Sequence, residues 1–138
     1  MTVADALREA EERLAGAGVE TPRVDAELLV AHVAGLSRAR LHVQPSGEVD
    51  REALEPLLRR REAREPLAYV LGSWGFRRLT LRTDRRALVP RPETEVVVER
   101  CLALIAGLAE PEVLDVGVGS GAIALALADE HPGARVTG

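Results

Sequence analysis

Asp115 sits in an apolar tetrapeptide, Val113-Leu-Asp-Val116, two residues ahead of a glycine-rich run, Gly117-Val-Gly-Ser-Gly121. Glycines at this spacing let a ligand lie against bare backbone: no Cβ intrudes, and the turn can take angles that other residues avoid. The small and aliphatic stretch from Ala122 to Glu130 reads as a helix, whose first N–H groups offer a positive end. Strand, glycine turn and helix make the phosphate- or nucleotide-binding corner of a doubly wound sheet. Three readings compete for that corner. Gly117-x-Gly119-x-x-Ala122 satisfies the loose dinucleotide fingerprint. Asp115 argues for a different ligand, because a carboxylate at the strand end would face the phosphates of a dinucleotide. It suits a cationic ligand end, and S-adenosylmethionine carries an ammonium, a sulfonium and no phosphate. A purely structural turn is the third reading.

The elements that must hold this corner can be traced from the N-terminus. Val3, Leu7, Ala10, Leu14 and Ala17 recur at steps of four and three, which predicts a helix capped by Thr2 and stopped by Gly16 or Gly18. Thr21-Pro22 opens a second helix carrying Leu28, Leu29, His32, Val33 and Leu36, with Gly35 near its end. A short third helix runs from Ser37 to about His42, and a fourth starts at Asp50 and ends in the charged run Arg59–Arg64 before Pro66. Leu67–Leu71 adds one more turn. From Gly72 the texture changes. Phe76, Leu79–Thr83 and Ala87–Pro90 read as strands around turns, and Val96–Leu108 follows Pro92-Glu-Thr-Glu95 as an apolar-rich helix. Arg135–Thr137 has the start of a further strand.

Composition narrows the classes. The chain has 138 residues, is 46% apolar and 29% charged, and carries a net charge of −4, so it is globular and has no overall basic field. Its 18 basic side chains are all arginine. No apolar run approaches the ~20 residues of a bilayer span, and the first residues are charged where a signal peptide is apolar. The lone Cys101 and the scattered His32, His42 and His131 give no metal-ligand spacing, so no metal is expected. His32 reads as a core-edge histidine and Cys101 as helix packing. These features together predict a cytoplasmic protein.

One stretch breaks the charge balance. Arg77, Arg78, Arg82, Arg85, Arg86 and Arg91 have only Asp84 among them. A solvated hairpin face is one reading, and a weak contact with RNA through Arg77, Arg78, Arg82, Arg85 and Arg86 is the other. Tyr69, Trp74 and Phe76 are the entire aromatic complement. They read either as a hydrophobic hinge or as a wall of a ligand site, with Phe76 the stronger wall residue.

Four segments carry a resemblance to a known family. They are Thr21–Gly35, Pro66-Leu-Ala-Tyr-Val-Leu-Gly72 with Phe76 following, Leu88-Val-Pro-Arg-Pro-Glu-Thr-Glu95, and Val113–Ala124. In this order they resemble the HemK/PrmC family of protein-(glutamine) methyltransferases, which modify peptide-chain release factors. The Pro-Arg-Pro-Glu-Thr-Glu segment is the most family-specific.

The resemblance implies an α/β architecture: an N-terminal helical bundle over residues 1–72 that engages the release factor, a β-hairpin linker over 73–91, and the first part of a Rossmann-like S-adenosylmethionine-dependent methyltransferase domain over 92–138. By position, Asp115, Gly117, Val118, Gly119, Ser120 and Gly121 would bind the methyl donor, Thr94 would border the same cavity, and Phe76 would wall the acceptor. Val118 stands where the family often has threonine. The family holds its acceptor amide with an Asn-Pro-Pro-Tyr motif, and these 138 residues contain none. The expectation is therefore a truncated enzyme that does not catalyse alone. Two other readings stand beside it: a related amino-methyltransferase acting on a nucleic-acid base or another protein, and a helical interaction module with a vestigial nucleotide-binding tail.

Overall fold

The computed structural model describes all residues from Met1 to Gly138. The chain divides into two compact units, Met1–Leu71 and Gly72–Gly138.

The first unit is helical. Helix α1 (Val3–Gly16) begins where the Thr2 hydroxyl accepts the Asp5 N–H at 3.1 Å, and it buries Val3, Ala6, Ala10 and Leu14. It runs through Gly16, and the chain leaves the helix at Gly18, where φ is +72°. Helix α2 (Pro22–Ala34) starts on a proline whose missing N–H costs nothing there, and closes at Gly35 in the left-handed conformation. Thr21 gives α2 no backbone cap; its hydroxyl donates instead to Asp25 at 2.9 Å. Helices α3 (Arg38–Val43), α4 (Arg51–Glu62) and α5 (Leu67–Leu71) complete the unit. Asp50 caps α4 by accepting the N–H groups of Glu52 and Ala53.

On α2 the burial differs from the apolar pattern. His32 is exposed, while Asp25 and Glu27 are buried at 4% and 6% exposure. Each buried acid has its cation. Arg61 Nε donates to Asp25 at 2.7 Å. Arg38 donates to Glu27, with Arg23 at 3.4 Å and His42 at 3.5 Å from the same carboxylate. The Arg38 hydrogen bond, before anything else, holds the Glu27 carboxyl below the ordinary range.

The charged run at the end of α4 is structural. Arg60 pairs with Glu65 and donates to the carbonyls of Tyr69 (2.9 Å) and Val70 (3.2 Å), tying α5 to α4. Arg64 donates to the Gly18 carbonyl. Arg13, on α1, reaches Glu55 at 2.7 Å and Glu62 at 2.8 Å.

The second unit contains two small sheets. Strands β1 (Ser73–Phe76) and β2 (Leu79–Arg82) form an antiparallel hairpin in which Phe76 faces Leu79 across a two-residue turn, Arg77-Arg78. Ala87–Pro90 forms no strand; Asp84–Ala87 is a turn, with the Asp84 carboxylate accepting the Arg86 N–H at 3.0 Å. Helix α6 (Thr94–Ile105) follows, then β3 (Glu112–Leu114), α7 (Ala122–Glu130) and β4 (Arg135–Thr137). Strands β3 and β4 pair in parallel, Val113 opposite Val136, with α7 between them in the chain. Phe76, Leu81, Val98, Ala122, Ala126 and Leu127 form the buried core, with Cys101 and Leu102 packed on it. At Gly133 a Cβ would be driven into the Ala109 carbonyl, so this close approach requires glycine.

Candidate functional site at the glycine turn

Parallel pairing brings the glycine turn to one end of the β3–β4 sheet. The Asp115 N–H donates to the Thr137 carbonyl at 2.7 Å, extending the ladder one residue past β3. The chain then turns through Gly117, Gly119 and Gly121, with φ of +80°, +54° and +79°. Such values strain any residue with a Cβ. The Gly121 N–H closes the turn on the Val118 carbonyl at 2.8 Å, and the Gly121 carbonyl accepts the Leu125 N–H to open α7. Nothing lies within 4 Å of where a Gly117 Cβ would be, so that backbone faces open space.

Asp115 is the chemically informative residue. Its Oδ2 is buried and has no hydrogen-bond partner within the protein. A carboxylate oxygen shielded from water and without a partner is costly, and a cationic or N–H-bearing ligand group would relieve that cost. A phosphate would aggravate it. The site therefore fits a ligand whose positive end reaches the head of the turn.

A groove of about 270 Å³ runs beside the turn, with Gly119 and Ser120 on one side and Arg82, Thr83, Arg86 and Leu88 on the other. Thr94 opens α6, half-buried, and lies outside this lining. Val118 is 37% exposed. Phe76 differs from the wall position expected of it. Its side chain is 2% exposed and fills the core with Leu81 and Val98, because β1 alternation points it inward.

The arginine strip is not a free basic field. Arg77 is gripped by Glu130, and its N–H donates to Glu95 Oε1 at 2.8 Å. Arg78 meets Asp129 at 3.0 Å and Arg86 meets Asp84 at 2.6 Å. These partners come from α6, from the end of α7 and from the loop after β2. Two of the three sources lie far along the chain, where counting neighbours in the sequence does not see them. The local excess of charge behind the RNA reading is thus largely compensated. No helix of the protein is long and apolar enough to cross a membrane.

Comparison with known proteins now bears on this geometry. A family model described as the PrmC N-terminal domain matches residues 5–72. A release factor glutamine methyltransferase of Streptomyces coelicolor is 46% identical over 132 residues, 94% of this chain and 47% of that protein. Proteins of the same description from Vibrio cholerae and Deinococcus radiodurans are 43% and 45% identical, over 100% and 99% of the chain. Residues 5–72 belong to the PrmC N-terminal domain family. The chain spans about half the length of the curated relatives it matches. Within the family frame, the PrmC N-terminal domain match lies on the helical unit's paired-charge bundle, and the glycine turn lies outside that match.

Proposed function

We propose that this chain serves S-adenosylmethionine-dependent methylation of the glutamine side-chain amide in the Gly-Gly-Gln motif of a peptide-chain release factor. The helical unit would engage the release factor, and the glycine turn would hold the methyl donor. The unpartnered Oδ2 of Asp115 is the observation that carries the donor reading. Asp115 would accept from the ammonium of the donor's methionine end. Gly117, Gly119 and Gly121 would admit it against the backbone, with Val118 and Ser120 beside it and Thr94 at the border of the cavity. The bound donor supplies an electrophilic methyl group on a sulfonium. An amide nitrogen is a poor nucleophile, so the reaction requires acceptors that hold its N–H groups and a site that excludes water. The 138 residues contain no Asn-Pro-Pro-Tyr motif, so the property to measure on this chain is donor binding. A role in translation termination implies a cytoplasmic protein.

Isothermal titration with S-adenosylhomocysteine, and with NAD⁺ as the competing ligand, tests the reading. Binding of the thioether, abolished by Asp115→Asn, is the expected result. Binding of NAD⁺ in its place would overturn it.

A further inference from the structure

The β1–β2 hairpin lies along α7, and its two ends meet the two ends of that helix. At the tip, Arg77 donates from Nε and Nη2 to the Glu130 carboxylate, the second bond at 2.7 Å. Arg78 donates to the Asp129 carboxylate at 3.1 Å and to the Asp129 carbonyl at 3.0 Å. In the middle, Phe76 and Leu81 share a core with Ala126 and Leu127. At the base, Arg82, Thr83, Arg86 and Leu88 form one wall of the groove whose other wall, Gly119 and Ser120, leads into α7. The lengths agree: nine residues of helix and four of strand each span about 13 Å.

Two features single out the tip. Its positive φ, +50°, falls on Arg77, the first of the two turn residues, where two-residue hairpins favour glycine. Backbone strain of this kind persists only where the surroundings hold it. In addition, α7 ends in Asp129-Glu130 with no basic residue in its last turn, so two anions sit on the negative end of the helix dipole. Arg77 and Arg78 are the cations that answer them. Arg77 also reaches α6, its main-chain N–H donating to Glu95 Oε1 at 2.8 Å.

The apolar contacts in the middle are non-directional and would let the hairpin slide or tilt along the helix. A two-pronged guanidinium–carboxylate pair is directional. We propose that Arg77 is a positioning residue: by fixing the hairpin tip to the end of α7, it sets how far the hairpin base stands from the glycine turn, and so the width of the ligand groove. It touches no ligand itself. The proposal rests on the donor reading above for the identity of that ligand.

Arg77→Gly removes the guanidinium, keeps the main-chain N–H for Glu95 and relieves the positive φ, so its urea midpoint should stay close to that of the wild type. Its affinity for S-adenosylhomocysteine, by calorimetric titration, should fall about fivefold, a usual size for coupling through a packed network. Glu130→Ala should lose as much and the double variant no more than either, because the two side chains act as one unit. Arg77→Lys, which keeps a cation on Glu130, should recover most of the loss. A merely structural pair would lower the midpoint and leave the affinity of the folded protein untouched. Native-state hydrogen exchange reads the same lever without ligand. The Thr83 N–H, which closes the hairpin base on the Gly72 carbonyl at 3.1 Å, should exchange faster in Arg77→Gly than in the wild type. Wild-type affinity in Arg77→Gly would overturn the role of Arg77 and leave the donor reading standing. A wild type that does not bind S-adenosylhomocysteine would overturn the donor reading, and exchange at Thr83 then decides: faster exchange in Arg77→Gly upholds the positioning role, and unchanged exchange overturns it.

Discussion

Buried charge is handled differently in the two units. In the helical unit, Asp25 and Glu27 lie inside, and each meets an arginine from another helix, Arg61 at 2.7 Å and Arg38. Arg13 is likewise shared between Glu55 and Glu62. In the second unit, two buried side-chain atoms lack partners, Asp115 Oδ2 and His131 Nδ1. The imidazole nitrogen loses one hydrogen bond there, whereas a carboxylate oxygen loses part of the solvation of a charge. Paired buried charges fix how helices register on one another, and an unpaired one is a cost the fold carries for the sake of something it binds. On the proposed reading the first unit is built as a scaffold and the second as a receptor.

The sharpest way to break that contrast is to unpair a charge in the scaffold. Arg61→Met should leave the buried Asp25 carboxylate without a cation, held only by the Thr21 hydroxyl, and destabilise the protein by about 3–5 kcal/mol in urea titration. A loss under about 1 kcal/mol would mean that the helical unit does not depend on the pair. In the second unit the backbone is the tighter constraint. Gly133→Ala should cost about 1–3 kcal/mol, read as a lower denaturation midpoint, because the new methyl group meets the Ala109 carbonyl. The smallest effect concerns acid. Glu55 is held at about 2 against an ordinary 4.5, chiefly by the Arg13 hydrogen bond and then by Arg59. A carboxyl with a lowered folded value adds stability above its unfolded value that disappears as the pH falls through the folded one. The urea midpoint should therefore decline between about pH 4.5 and pH 2, and the decline should be shallower in Arg13→Met.

Much of the fold was legible because local signals agreed with one another. Pro22 at a helix start, Gly35 in left-handed conformation at its end and Asp50 as a cap act within a few residues, so the sequence shows them directly. The glycine turn after a short apolar strand is legible for the same reason. What escaped was long-range pairing. The spacing on α2 placed His32 near the core, whereas Asp25 and Glu27 went inside, because their arginines lie 36 and 11 residues away. The arginine strip misled in the same manner, since Glu130 and Asp129 answer Arg77 and Arg78 from more than 50 residues along the chain. Phe76 is drawn inward by strand alternation and by a core that needs its one large aromatic ring.

The account turns on Asp115, and equilibrium unfolding with and without ligand tests it most directly. A ligand that binds only the folded state raises the unfolding midpoint. S-adenosylhomocysteine should raise the midpoint of the wild type and leave that of Asp115→Asn unmoved. The ligand-free variant should be as stable as the wild type or about 1 kcal/mol more stable, since a buried charge without a partner has been removed. A ligand-free Asp115→Asn that is clearly less stable, or one that S-adenosylhomocysteine stabilises as fully as the wild type, would contradict the claim that this carboxylate waits for a cationic ligand.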